Sequence, residues 1–344
     1  MVEVTGVLQK QAWRDRVLPP VEEVRPGLWS LPVPIPHNPL RYVLCYVFQT
    51  RSGQVIVDPG WPVDDAWDAL SAGLASIGSD LAATHGVLVT HAHLDHHGLA
   101  NRVRAETGCW VAMHPAEELQ VARIRDVRAM ADRNERWLSR CGVPQAEQTG
   151  LIMAPERVRE LMDIVPDRLL EDGDKADVPG WRVTALWTPG HTPGHLCYVV
   201  GDADVVLTGD HLLPRITPNI SSYGDDDDPL DDYLGALDLL RGYDDREALA
   251  GHEYRFRGIR GRVGAIQRHH QARLREVAGQ VAAAPGGTVW DIALALRWSR
   301  SWAETTGFLR RAALAETLAH LRSMRRAGLV RAAGSNPERW RPAG

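Results

Sequence analysis

Thr90-His91-Ala92-His93-Leu94-Asp95-His96-His97-Gly98 decides how this chain is read. Four potential metal ligands, His91, His93, Asp95 and His96, fall within six positions, directly after the apolar run Gly86-Val87-Leu88-Val89. A buried strand that ends in such a cluster is costly unless its polar groups find a partner. Imidazoles and a carboxylate satisfy one another poorly but bind a borderline cation well. The bland alternative, a solvated loop that happens to be rich in histidine, does not explain the apolar strand that feeds it. The stretch reads as a metal site.

Working outward, three further candidates stand at the ends of apolar runs and next to glycine. His191 lies in Leu186-Trp187-Thr188-Pro189-Gly190-His191-Thr192-Pro193-Gly194-His195. Asp210 closes Asp204-Val205-Val206-Leu207-Thr208-Gly209-Asp210, and His252 follows Ala248-Leu249-Ala250-Gly251. Glycine before a ligand lets the backbone turn sharply and approach a metal without a Cβ clash. The recurrence of strand, turn and ligand places all these residues on one rim of a sheet.

With these residues in order, the chain resembles the metallo-β-lactamase fold superfamily over about residues 25 to 256. Asp58, in Val55-Ile56-Val57-Asp58-Pro59-Gly60, matches that family's first motif and the H-x-H-x-D-H cluster its second. His191, Asp210 and His252 match the third, fourth and fifth. The resemblance implies an α/β chain with a four-layer αββα fold; periodicity alone would give only α/β. It also implies that His91, His93 and His191 hold one metal and Asp95, His96 and His252 a second, with Asp210 bridging. Asp58 would support the site without ligating.

The residue types suit that chemistry. Two cations about 3.5–4 Å apart can share a hydroxide and lower its pKa into the neutral range. Asp210 would fix the separation, and Asp95 would both ligate and hydrogen-bond the attacking hydroxide. Those two are the expected catalytic carboxylates. Nitrogen and oxygen ligands without thiolate suit two Zn2+ per chain, with iron or manganese as alternatives.

Other histidines are read more plainly. His97 is expected to hydrogen-bond in a partly buried position, and His195 to be structural. His211, beside Asp210, is ambiguous between a structural place and one facing substrate. His114 reads as a strand end, and His85, His269, His270 and His320 as surface or cap residues.

A chain of 344 residues with 44% hydrophobic content points to two domains. No apolar signal-type segment occurs in residues 1–16, and no run approaches the roughly 18 apolar residues of a membrane span. The four cysteines, Cys45, Cys109, Cys141 and Cys197, form no C-x-x-C pair. A cytoplasmic enzyme with no membrane partner is expected, with a homodimer as the commonest soluble assembly. The 37 arginines against two lysines speak of genome composition rather than function.

Strands are expected at 27–34, 41–50, 54–57, 181–186, 196–200 and 204–207, with a helix over 62–77. A catalytic domain over 1–264 would contain a helical insertion at about 115–165, read as a lid or a dimer surface. In the loop after Asp210, Ser221 or Tyr223 could meet substrate, while the run Asp225 to Asp228 reads as solvated. Pro229 opens a helix.

Residues 265–344 form the second expected domain. From Ile266 onward, 13 arginines face 5 acidic residues, a formal +8 that leaves −13 on the rest of a chain totalling −5. Helices over 266–284, from Thr288 through Leu296, and onward to Arg326 precede a hairpin signal around Gly334-Ser335-Asn336-Pro337. Three helices and a hairpin look like a winged helix. Such domains bind nucleic acid, but packing beside the catalytic domain is the favoured role.

The order of domains resembles the subgroup of glyoxalase II-like hydrolases and β-lactamase-like protein 2 endoribonucleases. The resemblance implies hydrolysis of a small ester or thioester by a hydroxide shared between the two metals. The alternative is a phosphodiesterase on single-stranded RNA, held by the basic domain. Retention of His93 separates the chain from flavodiiron relatives, and no long insertion of the β-CASP type lies between His191 and His252. A non-enzymatic nucleic-acid binder fits poorly with a complete ligand set.

Overall fold

The computed structural model describes residues 2–222 and 227–344. One sheet holds seven strands in chain order: Glu22–Arg25, Leu28–Pro34, Tyr42–Thr50, Gly53–Val57, Thr84–Leu88, Trp110–Met113 and Arg168–Leu169. The first four pair antiparallel; from Gly53–Val57 onward the pairing is parallel. The second sheet runs Glu3–Val4, Phe256–Arg257, Glu247–Ala250, Val205–Gly209, Leu196–Val200, Val183–Trp187, Lys175–Ala176. Within it Val205–Gly209 is parallel to Glu247–Ala250, and two antiparallel steps bring Val183–Trp187 into the same direction.

The layering follows from the period of two along a strand. On Tyr42–Thr50 the side chains of Tyr42, Leu44, Tyr46 and Phe48 enter a core shared with Leu196, Tyr198, Val205 and Leu207 of the other sheet. The alternate set, Val43, Cys45 and Val47, packs against Leu70 and Leu74 of helix Asp64–Ser76 and Val103 of helix Ala100–Thr107. A strand covered on both faces has no polar side, which is why residues 42–48 are apolar without a break. The result is the αββα arrangement of an α/β fold.

The two sheets are tied at one edge by hydrogen bonds between strand ends. Leu44 N–H donates to Gly251 O (2.7 Å) and Leu196 N–H to Thr90 O (2.8 Å). Tyr46 Oη donates to Ala250 O at 2.8 Å and Tyr198 Oη to Val89 O at 2.9 Å. The residues that follow these strands are the candidate ligands.

In space the chain divides into two compact units rather than by a single cut near 264. One comprises Met1–Ala122, Leu161–Pro218 and Ala236–Val263; the other comprises Arg123–Glu160, Asn219–Gly235 and Gly264–Gly344. Much of the expected insertion therefore belongs with the C-terminal segment. The reason is burial: Leu138, Cys141, Val143 and Leu151 share a core with Val289, Trp290, Leu314, Leu318 and Trp340. That second unit contains helices Val127–Arg140, Val289–Ala295 and Gly307–Arg326, and the antiparallel hairpin Val330–Ala333 with Arg339–Pro342. Thr288 caps its helix as expected, in a reciprocal box with Asp291.

Helix Val7–Asp15 was not foreseen, because its sequence is mixed and charged. It is anchored by Gln9, which donates to Ser30 Oγ and accepts from Arg255 N–H. Among the described residues no helix is long and apolar enough to cross a membrane. The four cysteines are free and buried.

Candidate metal centre

Every candidate ligand sits just past the C-terminal end of a strand on the tied edge. Thr84–Leu88 leads to His91, and His93 then stands at the N-terminus of the short helix Leu94–His97, which carries Asp95 and His96. Val183–Trp187 leads to the turn with His191, Val205–Gly209 to Asp210, and Glu247–Ala250 to His252. Two glycines are required at this rim. A Cβ on Gly251 would lie 2.8 Å from Asp210 Oδ1 and 2.9 Å from His96 Cε1, and one on Gly209 would lie 2.7 Å from His195 Nε2.

Three groups of side chains converge: His91, His93 and His191; His91, His96 and Asp210; and Asp95, His96 and His252. His93 Nδ1 lies 2.9 Å from His91 Nε2 and 3.1 Å from His191 Nε2. Three imidazole nitrogens this close cannot all carry protons. Burial, then the neighbouring histidines, hold His91 well below its usual range. Burial and His191 bring His93 down to about 3.

On the other side, His252 Nε2 is 3.3 Å from both Asp95 Oδ2 and Asp210 Oδ1, and His96 Nε2 is 3.5 Å from the same Asp210 oxygen. Asp210 Oδ2 faces His191 Nε2 at 3.8 Å. Burial disfavours charge on His252, but Asp210 and Asp95 outweigh it and raise it to about 10. Asp95 is likewise lowered to about 2, because His96 and His252 overcome its burial. His96 Nε2, His252 Nε2 and Asp210 Oδ1 are buried without a hydrogen bond among the described residues. Buried imidazole nitrogens that converge on carboxylate oxygens without a hydrogen bond form, once deprotonated, a donor set that fits a cation.

The outer ring nitrogens of His91, His96 and His252 are held. His96 Nδ1 donates to Asp58 Oδ2 (2.8 Å), whose carboxylate also accepts from Thr90 N–H and Oγ1. His252 Nδ1 donates to Tyr42 O (2.8 Å), and His91 Nδ1 lies 3.0 Å from Thr90 Oγ1. These contacts set the tautomer that turns Nε2 inward. Asp58 reaches its place with a left-handed φ of 55°. His195 is structural: its Nε2 accepts from Asp210 N–H at 3.3 Å and its Nδ1 pairs with Thr188 Oγ1.

Glu117, on helix Pro115–Arg125, escaped the sequence reading. It is 1% exposed, accepts Ala92 N–H at 2.7 Å through Oε2 and accepts Gly194 N–H at 2.6 Å through Oε1. One carboxylate thus straps the His91–His93 segment to the turn that carries His191. No local pattern announces it.

His97 and His211 are buried and belong to none of the three groups. Burial lowers His97 to about 4 and His211 to about 3. His211 packs 5.5 Å from the His195 ring. His114 stacks on Trp187 and accepts Ala116 N–H at the start of its helix. His270 and His320 correct the sequence reading, because both are buried rather than on the surface. Tyr223, Asp225 and Asp226 lie outside the described residues. Asp227 is not merely solvated; it accepts from Arg322 and Ser222.

The comparisons with known proteins agree with this geometry. A metallo-beta-lactamase family protein from Thermus thermophilus superposes with a TM-score of 0.80 at 33% identity, covering 93% of this chain and 100% of its own. The atrochrysone carboxyl ACP thioesterase of Cryptosporiopsis sp. (strain 8999) is 23% identical over 291 residues, 80% of this chain and 72% of that protein. The probable polyketide biosynthesis zinc-dependent hydrolase of Bacillus velezensis is 28% identical over 171 residues, 49% of this chain and 55% of that protein. The model of the metallo-beta-lactamase superfamily matches residues 38–252, from just before strand Tyr42–Thr50 to the last candidate ligand, and the chain belongs to that superfamily.

Proposed function

We propose that the protein is a glyoxalase II-like hydrolase of a small ester or thioester that works with two zinc ions per chain. The observation that carries this reading is the convergence of His91, His93 and His191 beside Asp95, His96 and His252, with Asp210 between them. The two sets would each hold one ion, and Asp210 would span both. Bound there, the ions would supply Lewis acidity and bring a water's pKa toward neutrality.

The chain's own residues do the rest. Asp58, Tyr42 O and Thr90 keep the imidazoles aimed inward, so no reorientation is needed when substrate arrives. Asp95 would orient the attacking water and take its proton, and Asp210 lies where it would serve both sets. Water oxygen bonds to the acyl carbon, the carbon–sulfur bond breaks, the proton held by Asp95 passes to the leaving sulfur, and the second water proton is released to solvent. The acyl group departs as carboxylate. The relative named a thioesterase, aligned over 80% of this chain, supports the thioester branch.

The test is turnover of an acyl-thiol panel by zinc-loaded protein, with Asp210→Ala as blank. Turnover that the variant lacks is expected. None across the panel, with zinc shown to be bound, overturns the reading.

The formal +8 of residues 266–344 favours a second reading, cleavage of single-stranded RNA held by a winged-helix-like C-terminal domain. Against it, Arg310, Arg322 and Arg326 pair within their own unit with Glu147, Asp227 and Asp228. A packing role for this domain is therefore the preferred reading. Salt-dependent RNA binding by the intact protein would reverse that preference.

A further inference from the structure

A cleft of about 520 Å3 opens where strand Leu28–Pro34 turns back into Tyr42–Thr50. The topology puts that turn on the metal-centre edge, because Leu28–Pro34 runs in the same direction as Gly53–Val57, which ends at Asp58. Tyr42 lines the cleft and also accepts the hydrogen bond that orients His252. The cleft is therefore one residue away from the centre.

Three observations mark it as a built site. First, Val17 and Leu18 lie in its wall and are 56% and 46% exposed, a local concentration of apolar surface. Second, its cations lack anions. Arg215, nearby, is held by Glu253, whereas Arg16 and Arg41, in the lining, form no ion pair among the described residues. The Arg41 guanidinium carbon lies over Trp13, 3.8 Å from the ring centroid, and its buried Nη1 makes no hydrogen bond among the described residues. The lining contains one acidic side chain, the exposed Asp65. Third, two residues of the connecting turn that end no helix, His37 (56°) and Arg41 (67°), line the cleft with left-handed φ, whereas Arg16 (60°) takes it as the C-cap of helix Val7–Asp15. Two others, Asp58 and Glu253, adjoin the metal centre. Such strain persists where surrounding structure over-determines it, as at ligand clamps.

We propose that this cleft takes the phosphate-bearing pantetheine arm of a carrier thiol, with phosphate on Arg16 and Arg41 and the arm along Val17 and Leu18. The proposal rests on the thioester reading above and names its leaving group. A guanidinium already held over an indole loses little freedom when it grips a phosphate. The volume falls within the ordinary range for a small-ligand site.

The probe is pantetheine 4′-phosphate, titrated calorimetrically into zinc-loaded protein beside unphosphorylated pantetheine. The phosphorylated form should bind about 10-fold tighter. The double variant Arg16→Asn/Arg41→Asn should erase that difference. Asparagine tolerates left-handed φ, and a melting curve checks its fold. Arg41→Lys should keep part of the preference. In turnover, KM for an acyl-pantetheine phosphate should rise about 10-fold in the double variant, while an acyl-N-acetylcysteamine, which has no phosphate, is unaffected. Competition by coenzyme A against a carrier-protein-borne arm distinguishes the two sources of the same chemistry. Equal binding of both pantetheines, or a preference that survives the double variant, overturns the proposal. Phosphate-dependent binding without turnover of any thioester would leave the cleft standing and defeat the hydrolase reading.

Discussion

Histidines are buried in both units of this chain, at His91, His96, His191 and His252 in one and at His270 and His320 in the other. In the first unit the outer nitrogens of His91, His96 and His252 are tied to Thr90, Asp58 and Tyr42 O, and the inner nitrogens of His96 and His252 face Asp95 and Asp210. In the second, His320 Nδ1 donates to Glu316 O at 2.7 Å, which leaves its Nε2 to accept from His270 Nδ1 at 3.3 Å. That pair is held by these two bonds, with His270 Nε2 buried and without a hydrogen bond among the described residues, and no metal-holding group forms around it among them. Burial of imidazole is thus not a sign of chemistry. Convergent lone pairs with carboxylates between them are.

The comparison can be broken most forcefully at Gly251. Gly251→Ala would drive a Cβ to 2.8 Å from Asp210 Oδ1 and 2.9 Å from His96 Cε1. It should lower zinc content and reduce turnover roughly 100-fold or more, since misplacement by about 1 Å costs that much. Elemental analysis and steady-state kinetics check it.

The next effect belongs to the second unit. Burial, then His320, lowers His270 to about 3, and burial lowers His320 to about 4. Below the ordinary histidine pKa of about 6.5, the unfolded chain takes up protons that the folded one refuses. Stability is therefore lost as pH falls below that value. The loss reaches several kcal/mol, since each tenfold difference in proton affinity between the two states is worth about 1.4 kcal/mol. Glu316 opposes this: burial raises it to about 6, so its protonation favours the fold as pH drops. The histidines outweigh one carboxyl. Urea midpoints from pH 7 to 5 should fall for the wild type, and His270→Leu/His320→Leu should flatten the slope.

Glu117→Ala leaves the N–H groups of Ala92 and Gly194 buried and unpaired, at about 1–3 kcal/mol each. A lower melting temperature should accompany weaker zinc binding, with Glu117→Gln recovering part of both. Smallest is Gly279→Ala in helix Ile259–Ala283, where a new Cβ meets nothing within 4 Å. It should stabilise by about 0.5–1 kcal/mol and leave zinc content and turnover untouched. The contrast with Gly251→Ala sharpens the distinction between a glycine that closes a site and one that merely occupies a helix.

The rim was legible because each part carries its own local signal: an apolar strand, a glycine or a turn, then a histidine or aspartate. The strands 42–50 and 53–57 and the helix over 64–76 could likewise be read from period and breakers. Glu117 could not, since its partners are 25 and 77 residues away and are backbone groups with no sequence signature. The alliance of 123–160 with the C-terminal segment was hidden for a related reason. Helical spacing at Met130 and Leu138 says that a face is buried but not which core receives it. His270 and His320 were misplaced because a pair of neutral histidines fifty residues apart leaves no local pattern.

The most direct test of the account is zinc stoichiometry by calorimetric titration of the metal-free chain. Two equivalents per chain are predicted, with Asp210→Ala losing at least one of them. A wild type that saturates at one equivalent or none, or a variant that retains two, would contradict the two-ion centre on which the proposed chemistry depends.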